Sequence, residues 1–205
     1  MPDKAPVIFV IDDDASVRKS LSLLLKSSGY EVETFVSAAE FLSRGTPDRT
    51  GCIILDVKMR GMTGLDLQEH LSSNDHHIPI IFITGHGDIP MSVQAIKKGA
   101  VDFLTKPFDD IRLISLVESA VEQYSRDRAE LNEISDFQRR LKTLTPREHE
   151  VFLHVISGLL NKQIAVELNI KEHTVKVHRG RVMDKLGVDS LASLVRLAEK
   201  SLKST

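Results

Sequence analysis

Three consecutive aspartates, Asp12, Asp13 and Asp14, stand directly after the apolar run Val7-Ile8-Phe9-Val10-Ile11. Adjacent carboxylates repel one another. Holding them at a buried strand end becomes favourable once a divalent cation sits among them, and hard oxygen ligands suit Mg2+. The run is therefore read first as a metal site. Further chemical groups follow later apolar runs: Asp56 after Cys52 to Leu55, Thr84 after Ile78 to Ile83, and Lys106, itself before Pro107, after Val101 to Leu104. Brought together, these groups match a phosphoryl-transfer site. Asp13 and Asp56 can hold Mg2+, Asp56 can act as the nucleophile, and Lys106 and Thr84 can neutralise and hydrogen-bond the transferred oxygens. Any one of them alone means little.

The elements that must position these residues are legible as alternating patterns. Val7 to Ile11, Val32 to Val36, Cys52 to Leu55, Ile78 to Ile83 and Val101 to Leu104 read as strands. Between them Val17-Leu21-Leu24-Leu25, Phe41-Leu42, Leu65-Leu67-Leu71 and Met91-Val93-Ile96 have helical spacing. Asp14 or Ser16 caps the first helix, and Ser37 with Glu40 makes a capping box for the second. Five βα units with short connections imply a parallel sheet with helices on both faces, whose strands all deliver their C-terminal ends to one edge.

The chain has 205 residues, 41% apolar and 27% charged, enough for one large or two small domains. No signal peptide or membrane span is read from it, and the single cysteine, Cys52, beside Ile53-Ile54-Leu55, is read as core filling. A reducing, cytoplasmic location is expected. The net charge of −2 hides an asymmetry: residues 1–108 hold 11 basic and 14 acidic side chains, residues 109–145 hold 6 and 8, and residues 146–205 hold 10 and 7. An acidic front before a basic back points to two domains, the second with an anionic partner such as nucleic acid.

Asp12-Asp13, the stretch Asp56-Val-Lys-Met-Arg-Gly-Met-Thr-Gly64, Thr84-Gly-His-Gly-Asp88 and Phe103-Leu-Thr-Lys-Pro107 together resemble the receiver domain of two-component response regulators, of the FixJ/NarL type. The resemblance covers residues 5 to about 122. It implies a five-stranded flavodoxin-like fold of strand order 2-1-3-4-5, with Asp56 as phospho-acceptor. It also implies Mg2+ at Asp12, Asp13, Asp56 and the Lys58 backbone carbonyl, Lys106 as the phosphate-contacting lysine, and Thr84 and Phe103 as the switch hydroxyl and switch aromatic. Two positions depart from the family pattern. Arg60 stands where proline is usual, which leaves the turn behind Asp56 without a fixed φ. Lys58 adds a positive charge two residues beyond Asp56. His86, with no second histidine at ligand spacing, is read as a loop residue.

No proline lies between Pro107 and Pro146 and no glycine between Gly99 and Gly158, so this stretch can be helical throughout. Val117, Val121, Tyr124, Leu131, Ile134 and Leu141 recur mostly three or four apart, either in one continuous linker helix or in an exposed, partly frayed one. Thr145-Pro146-Arg147-Glu148 is a helix start with N-cap, first-turn proline and third-position glutamate. Helices then follow from near Asn161, from Glu172 to Leu186, and after Ser190, whose apolar side carries Leu191, Leu194, Val195, Leu197 and Ala198. A tight turn at Asn169-Ile170-Lys171 makes a helix-turn-helix.

On the third of these helices Val175, Val182, Leu186 and Met183 gather inward, which leaves His173, Lys176, Val177, Gly180, Arg181 and Asp184 outward. Lys176 can donate to guanine, Val177 can meet a thymine methyl, and Gly180 permits close backbone approach. Arg179, Arg181, Lys162 and Thr174 are better placed for phosphates. Residues 141–200 resemble the LuxR-type DNA-binding domain through Leu144-Thr-Pro-Arg-Glu148, Gly158, Asn161-Lys-Gln-Ile-Ala165 and Thr174-Val-Lys-Val-His178 to Leu186. Gly180 departs from the larger residue usual there.

The expected organisation is a receiver at 1–122, a helical linker at 123–141 and a four-helix DNA-binding domain at 142–205. The expected protein is a regulator rather than an enzyme. It takes a phosphoryl group from a sensor histidine kinase, dimerises, binds double-stranded promoter DNA and acts on RNA polymerase, with no membrane partner. The alternatives are a phosphorylation-independent DNA binder, or a phosphatase that forms an aspartyl-phosphate; such phosphatases place an acid where Lys58 stands.

Overall fold

Strand formation here follows apolar runs that can be covered on both faces. In the computed structural model, which describes residues 6–45, 51–73, 78–85 and 89–203, the parallel sheet runs β2 (Glu31–Phe35), β1 (Val7–Ile11), β3 (Gly51–Asp56), β4 (Ile80–Thr84), β5 (Asp102–Thr105). Every residue of β1, β3 and β4 is buried, whereas the edge strands β2 and β5 are only partly so. Alternate residues feed two cores. Phe9, Ile53, Leu55 and Phe82 pack against Phe41 of α2 (Ala38–Ser43), Leu67 of α3 (Gly64–Ser73) and Ala95 of α4 (Ile89–Lys97). On the other face Ile8, Val10, Ile54 and Ile83 pack against Leu21 and Leu25 of α1 (Ala15–Ser27), and Leu113 and Val117 of α5 (Asp110–Leu141). Cys52 lies in this second core, and burial pushes its thiol up to about 12.

Local signals decide the helix starts. Asp14 is the N-cap of α1, accepting from the backbone N–H of Ser16 (2.7 Å) and Val17 (3.4 Å). Ser37 caps α2 by accepting from Glu40 N, but the return bond differs from a capping box: the Glu40 carboxylate accepts from Val36 N, at 2.7 Å, one residue earlier. α4 forms over the segment of helical spacing but leaves most of its apolar residues uncovered. Of its residues only Ala95 is buried, and Ile89, Val93 and Ile96 stand outward.

The chain divides into two compact units, residues 1–128 and 129–205. α5 is continuous from Asp110 to Leu141, and its last turns belong to the second unit. Ile134 and Phe137 are buried, and Phe137 lies in the core of that unit with Phe152 of α6 (Pro146–Ile156), Ile164 of α7 (Asn161–Glu167), Val175 and Val182 of α8 (Glu172–Leu186), and Leu194 of α9 (Leu191–Lys203). Glu133 forms a bidentate ion pair with Arg196 (3.1 and 2.7 Å) and Glu130 pairs with Lys200 at 2.5 Å. Leu191, expected inward, is exposed. Among the described residues no helix is long and apolar enough to cross a membrane.

Candidate functional site

At the C-terminal edge of the sheet the register sets neighbouring strand ends side by side: Ile11 pairs with Leu55, Asp56 with Ile83, and Thr84 with Thr105. The residues just beyond these pairs form a tight cluster. The Lys106 ammonium bridges two carboxylates, at 2.7 Å from Asp12 Oδ2 and 2.9 Å from Asp56 Oδ1. Asp12 and Asp56 are both buried. Their second oxygens are held by the backbone: Asp14 N donates to Asp12 Oδ1 and Lys58 N to Asp56 Oδ2, each at 2.8 Å. Lys106 is positioned through its own N–H, which donates to the Thr84 carbonyl at 2.7 Å across a strand pair. Thr84 itself is buried beside them.

Burial shifts the protonation of this cluster. It pushes the Asp56 carboxyl up, against the opposing pull of Lys106, and the Asp12 charge adds to the rise. Burial alone would lower Lys106; hydrogen bonds to Asp12 and Asp56 and their charges more than offset it, so the ammonium is held above its ordinary range. The result is a protonated lysine that bridges two buried carboxyl groups.

Whether this donor set suits Mg2+ turns on its composition. Asp13 is exposed, and among the described residues no three His, Cys, Asp or Glu side chains are grouped to hold a metal unaided. Mg2+ characteristically takes one or two carboxylates and completes its shell with water and phosphate oxygens. Two buried carboxylates that share a single cation, with a solvent-facing acid next in sequence, fit that pattern and do not fit an all-protein cage. A hollow of about 350 Å3 in this unit lies elsewhere, at the opposite end of β4, around Ile78, Pro79 and Ile80.

Two neighbours escaped the sequence reading. Arg18 donates to the Asp12 carbonyl at 2.6 Å and ties the first turns of α1 to the strand end. Gly64 opens α3 so close to Asp56 that a Cβ there would lie 2.4 Å from the Asp56 carbonyl oxygen. Arg18 gives no spacing signal, since six residues separate it from Asp12, whereas Gly64 is visible as a glycine at a helix start. Phe103 is half-buried, packs against the first core and has its ring centroid 6.2 Å from that of Phe82. His86 lies outside the described residues.

In the second unit Val175, Val182 and Leu186 of α8 are buried, and His173, Lys176, Val177, Gly180, Arg181 and Asp184 are exposed. Lys162 on α7 is exposed and Thr174 half-buried. Arg179 is half-buried and donates to Asn161 Oδ1 at 3.1 Å, off the exposed face and bracing α8 against the start of α7. α6 begins with the full capping box: Thr145 N donates to the Glu148 carboxylate at 2.9 Å, and Glu148 N to the Thr145 hydroxyl at 3.4 Å. Lys185 of α8 adds a 2.7 Å ion pair to the same carboxylate. That bond and the backbone N–H of Thr145 hold Glu148 down at about 2.

Comparison with known proteins matches both units. The profile of the response regulator receiver domain matches residues 8–118, and that of the bacterial regulatory proteins, luxR family, matches residues 142–198. The chain is 49% identical over 193 residues to nodulation protein W of Bradyrhizobium diazoefficiens, covering 94% of this chain and 85% of that protein. It is 46% identical over 200 residues to response regulator protein TodT of Pseudomonas putida (98% and 88%), and 44% identical over 198 residues to transcriptional regulatory protein FixJ of Azorhizobium caulinodans (97% and 93%). Among solved structures, response regulator StyR superposes with a TM-score of 0.84 at 48% identity, covering 96% of this chain and 99% of that one. Full-length FixJ from B. japonicum gives 0.59 at 42% identity, with 97% of each covered.

Proposed function

The chain belongs to the response regulators that join a receiver domain to a luxR-family DNA-binding domain, and from that premise we propose that Asp56 is its phospho-acceptor, served by a sensor histidine kinase. The carrying observation is the Lys106 ammonium set between the buried Asp12 and Asp56 carboxylates at the strand ends. The Asp56 carboxylate attacks the phosphorus of a phosphorylated kinase histidine; the new P–O bond forms as the P–N bond breaks. Lys58 N, already on one Asp56 oxygen, orients the nucleophile. Lys106 turns its charge from the carboxylates to the phosphoryl oxygens, and the Thr84 hydroxyl hydrogen-bonds them. Asp13, Asp56 and the Lys58 carbonyl would hold Mg2+, with Asp12 in support; when bound, the ion supplies further positive charge against the phosphoryl oxygens.

Engagement of Thr84 draws Phe103 inward, where Phe82 and the first core can receive it. This alters the face built from α4, β5 and α5. The outward Ile89, Val93 and Ile96, which find no core of their own, support that face as the site of homodimerisation. Dimerisation sets two copies of α8 on paired half-sites of promoter DNA, with Lys176, Val177 and Gly180 toward base edges and Lys162, Thr174 and Arg181 toward phosphates, while Arg179 holds α8 against Asn161. RNA polymerase is the machinery the bound dimer acts upon. Phosphotransfer from a histidine kinase or acetyl phosphate, with a gel shift before and after, tests the scheme. Asp56→Asn is expected to take up no phosphoryl group and to show no phosphorylation-dependent DNA binding; uptake at the wild-type level would sink the assignment.

A further inference from the structure

α8 carries a glycine in its interior, Gly180, for which nothing within the chain accounts. Glycine is the poorest helix former after proline. Its φ is not among the positive ones, so the backbone conformation does not call for it. Nor does packing, because a Cβ built at Gly180 meets nothing within 4 Å beyond its chain neighbours and the backbone of its own helix, whereas one at Gly51 would lie 2.1 Å from the Val7 carbonyl oxygen. What the missing side chain changes is therefore the exposed surface of the helix.

The geometry of a helix says what the missing side chain would cover. Each Cα–Cβ bond tilts toward the helix N-terminus, so a side chain at 180 would lie over the preceding turn, on Lys176 and Val177. Without one, Val177, 41% exposed, keeps its methyl groups uncovered. The surface there is a notch with the Gly180 Cα as its floor and the stems of Lys176 and Arg181 beside it, since those positions neighbour Gly180 and Val177 at helical spacing. Apart from this notch, the face presents hydrogen-bonding side chains: His173, Lys176, Arg181 and Asp184. The one apolar group that the major groove offers to such a notch is the C5-methyl of thymine.

We infer that Gly180 and Val177 form a methyl-reading notch, in which the absent side chain at 180 selects thymine at one position of each half-site. This rests on α8 being the DNA-contacting helix, and the test separates the two. The full chain, treated with acetyl phosphate and Mg2+, selects duplexes from a pool with a randomised centre. The recovered duplex is remade with uracil replacing each thymine in turn and titrated against wild type, Gly180→Ala and Gly180→Leu. One substitution per half-site is expected to weaken wild type about fourfold, the effect of losing one buried methyl group. The same substitution leaves Gly180→Leu unmoved. Gly180→Leu also binds the thymine duplex about tenfold more weakly, as overfilling a close contact requires, with Gly180→Ala between the two and neither variant melting below wild type. Indifference of wild type to uracil at every position, or an undiminished uracil effect in Gly180→Leu, overturns the notch. Recovery of no enriched sequence overturns the reading of α8 itself, and the notch with it.

Discussion

Lys106 and Glu148 show how much a single charged group decides in each unit. Lys106 is the cation that both Asp12 and Asp56 contact directly. Lys106→Met therefore leaves two buried carboxylates facing each other. In Mg2+-free buffer it is expected to lower the stability of the receiver by about 1–3 kcal/mol, read from denaturant midpoints, and with Mg2+ present to slow phosphoryl uptake from acetyl phosphate by about 10²-fold. Glu148 has the opposite bias to Asp56. Its folded pKa of about 2 lies below the ordinary 4.5. A depressed carboxylate stabilises the fold above its unfolded pKa, and that contribution is lost as pH falls through the folded one. The luxR-family unit is thus expected to weaken between about pH 4.5 and 2. Glu148→Gln should remove this acid limb and cost about 1–3 kcal/mol at pH 7, seen by following unfolding against pH. Position alone narrowed the N-cap of α1 to Asp14 or Ser16; the pairing of Glu148 with Lys185, 37 residues away, left no such mark.

Among the elements, α5 carries the clearest consequence. An absence of proline and glycine marked it as able to be helical, but the apolar positions thin out after Tyr124 and gave no hint of what the last turns pack upon. Phe137, 2% exposed, answers that: it is part of the core of the second unit, and Glu130 and Glu133 pair with Lys200 and Arg196 of α9. We expect a fragment of residues 129–205 to unfold cooperatively, and a fragment of residues 142–205 to be less stable by about 3 kcal/mol or more, the cost of losing a buried phenylalanine. Phe137→Ala in the longer fragment should reproduce most of that loss. Equal midpoints for the two fragments would show that the α5 tail contributes nothing. In the receiver, the helical period of α4 was legible while its exposure was not, because periodicity marks an apolar face without saying what covers it.

For the molecule as a whole, the two units impose different demands on binding. A basic excess of three charges in residues 146–205 gives one copy little affinity for DNA without sequence. Two copies joined as proposed would gain more than their sum. Light scattering is expected to show the mass doubling on phosphorylation, and Asp56→Asn remaining a monomer. The phosphate contact proposed for Arg181 predicts that Arg181→Ala weakens binding evenly across sequences and lowers the slope of log affinity against log salt by about one. Lys176→Ala should instead relax the choice of base, by about 1–3 kcal/mol at one position.

The sequence by itself determined the strand and helix order, because apolar period and capping residues are local properties. It also determined the identity of the chemical groups at the strand ends, since a parallel sheet has one such edge. Only the tertiary structure decided which of them touch. Lys106 reaches Asp12 across 94 residues and Asp56 across 50, and Arg18 closes on a backbone carbonyl that no spacing rule marks. It likewise decided that α5 ends inside the second unit's core, and that the space over Val177 is open. Contacts of that kind depend on how distant elements pack, and packing is not written in the period of any one of them.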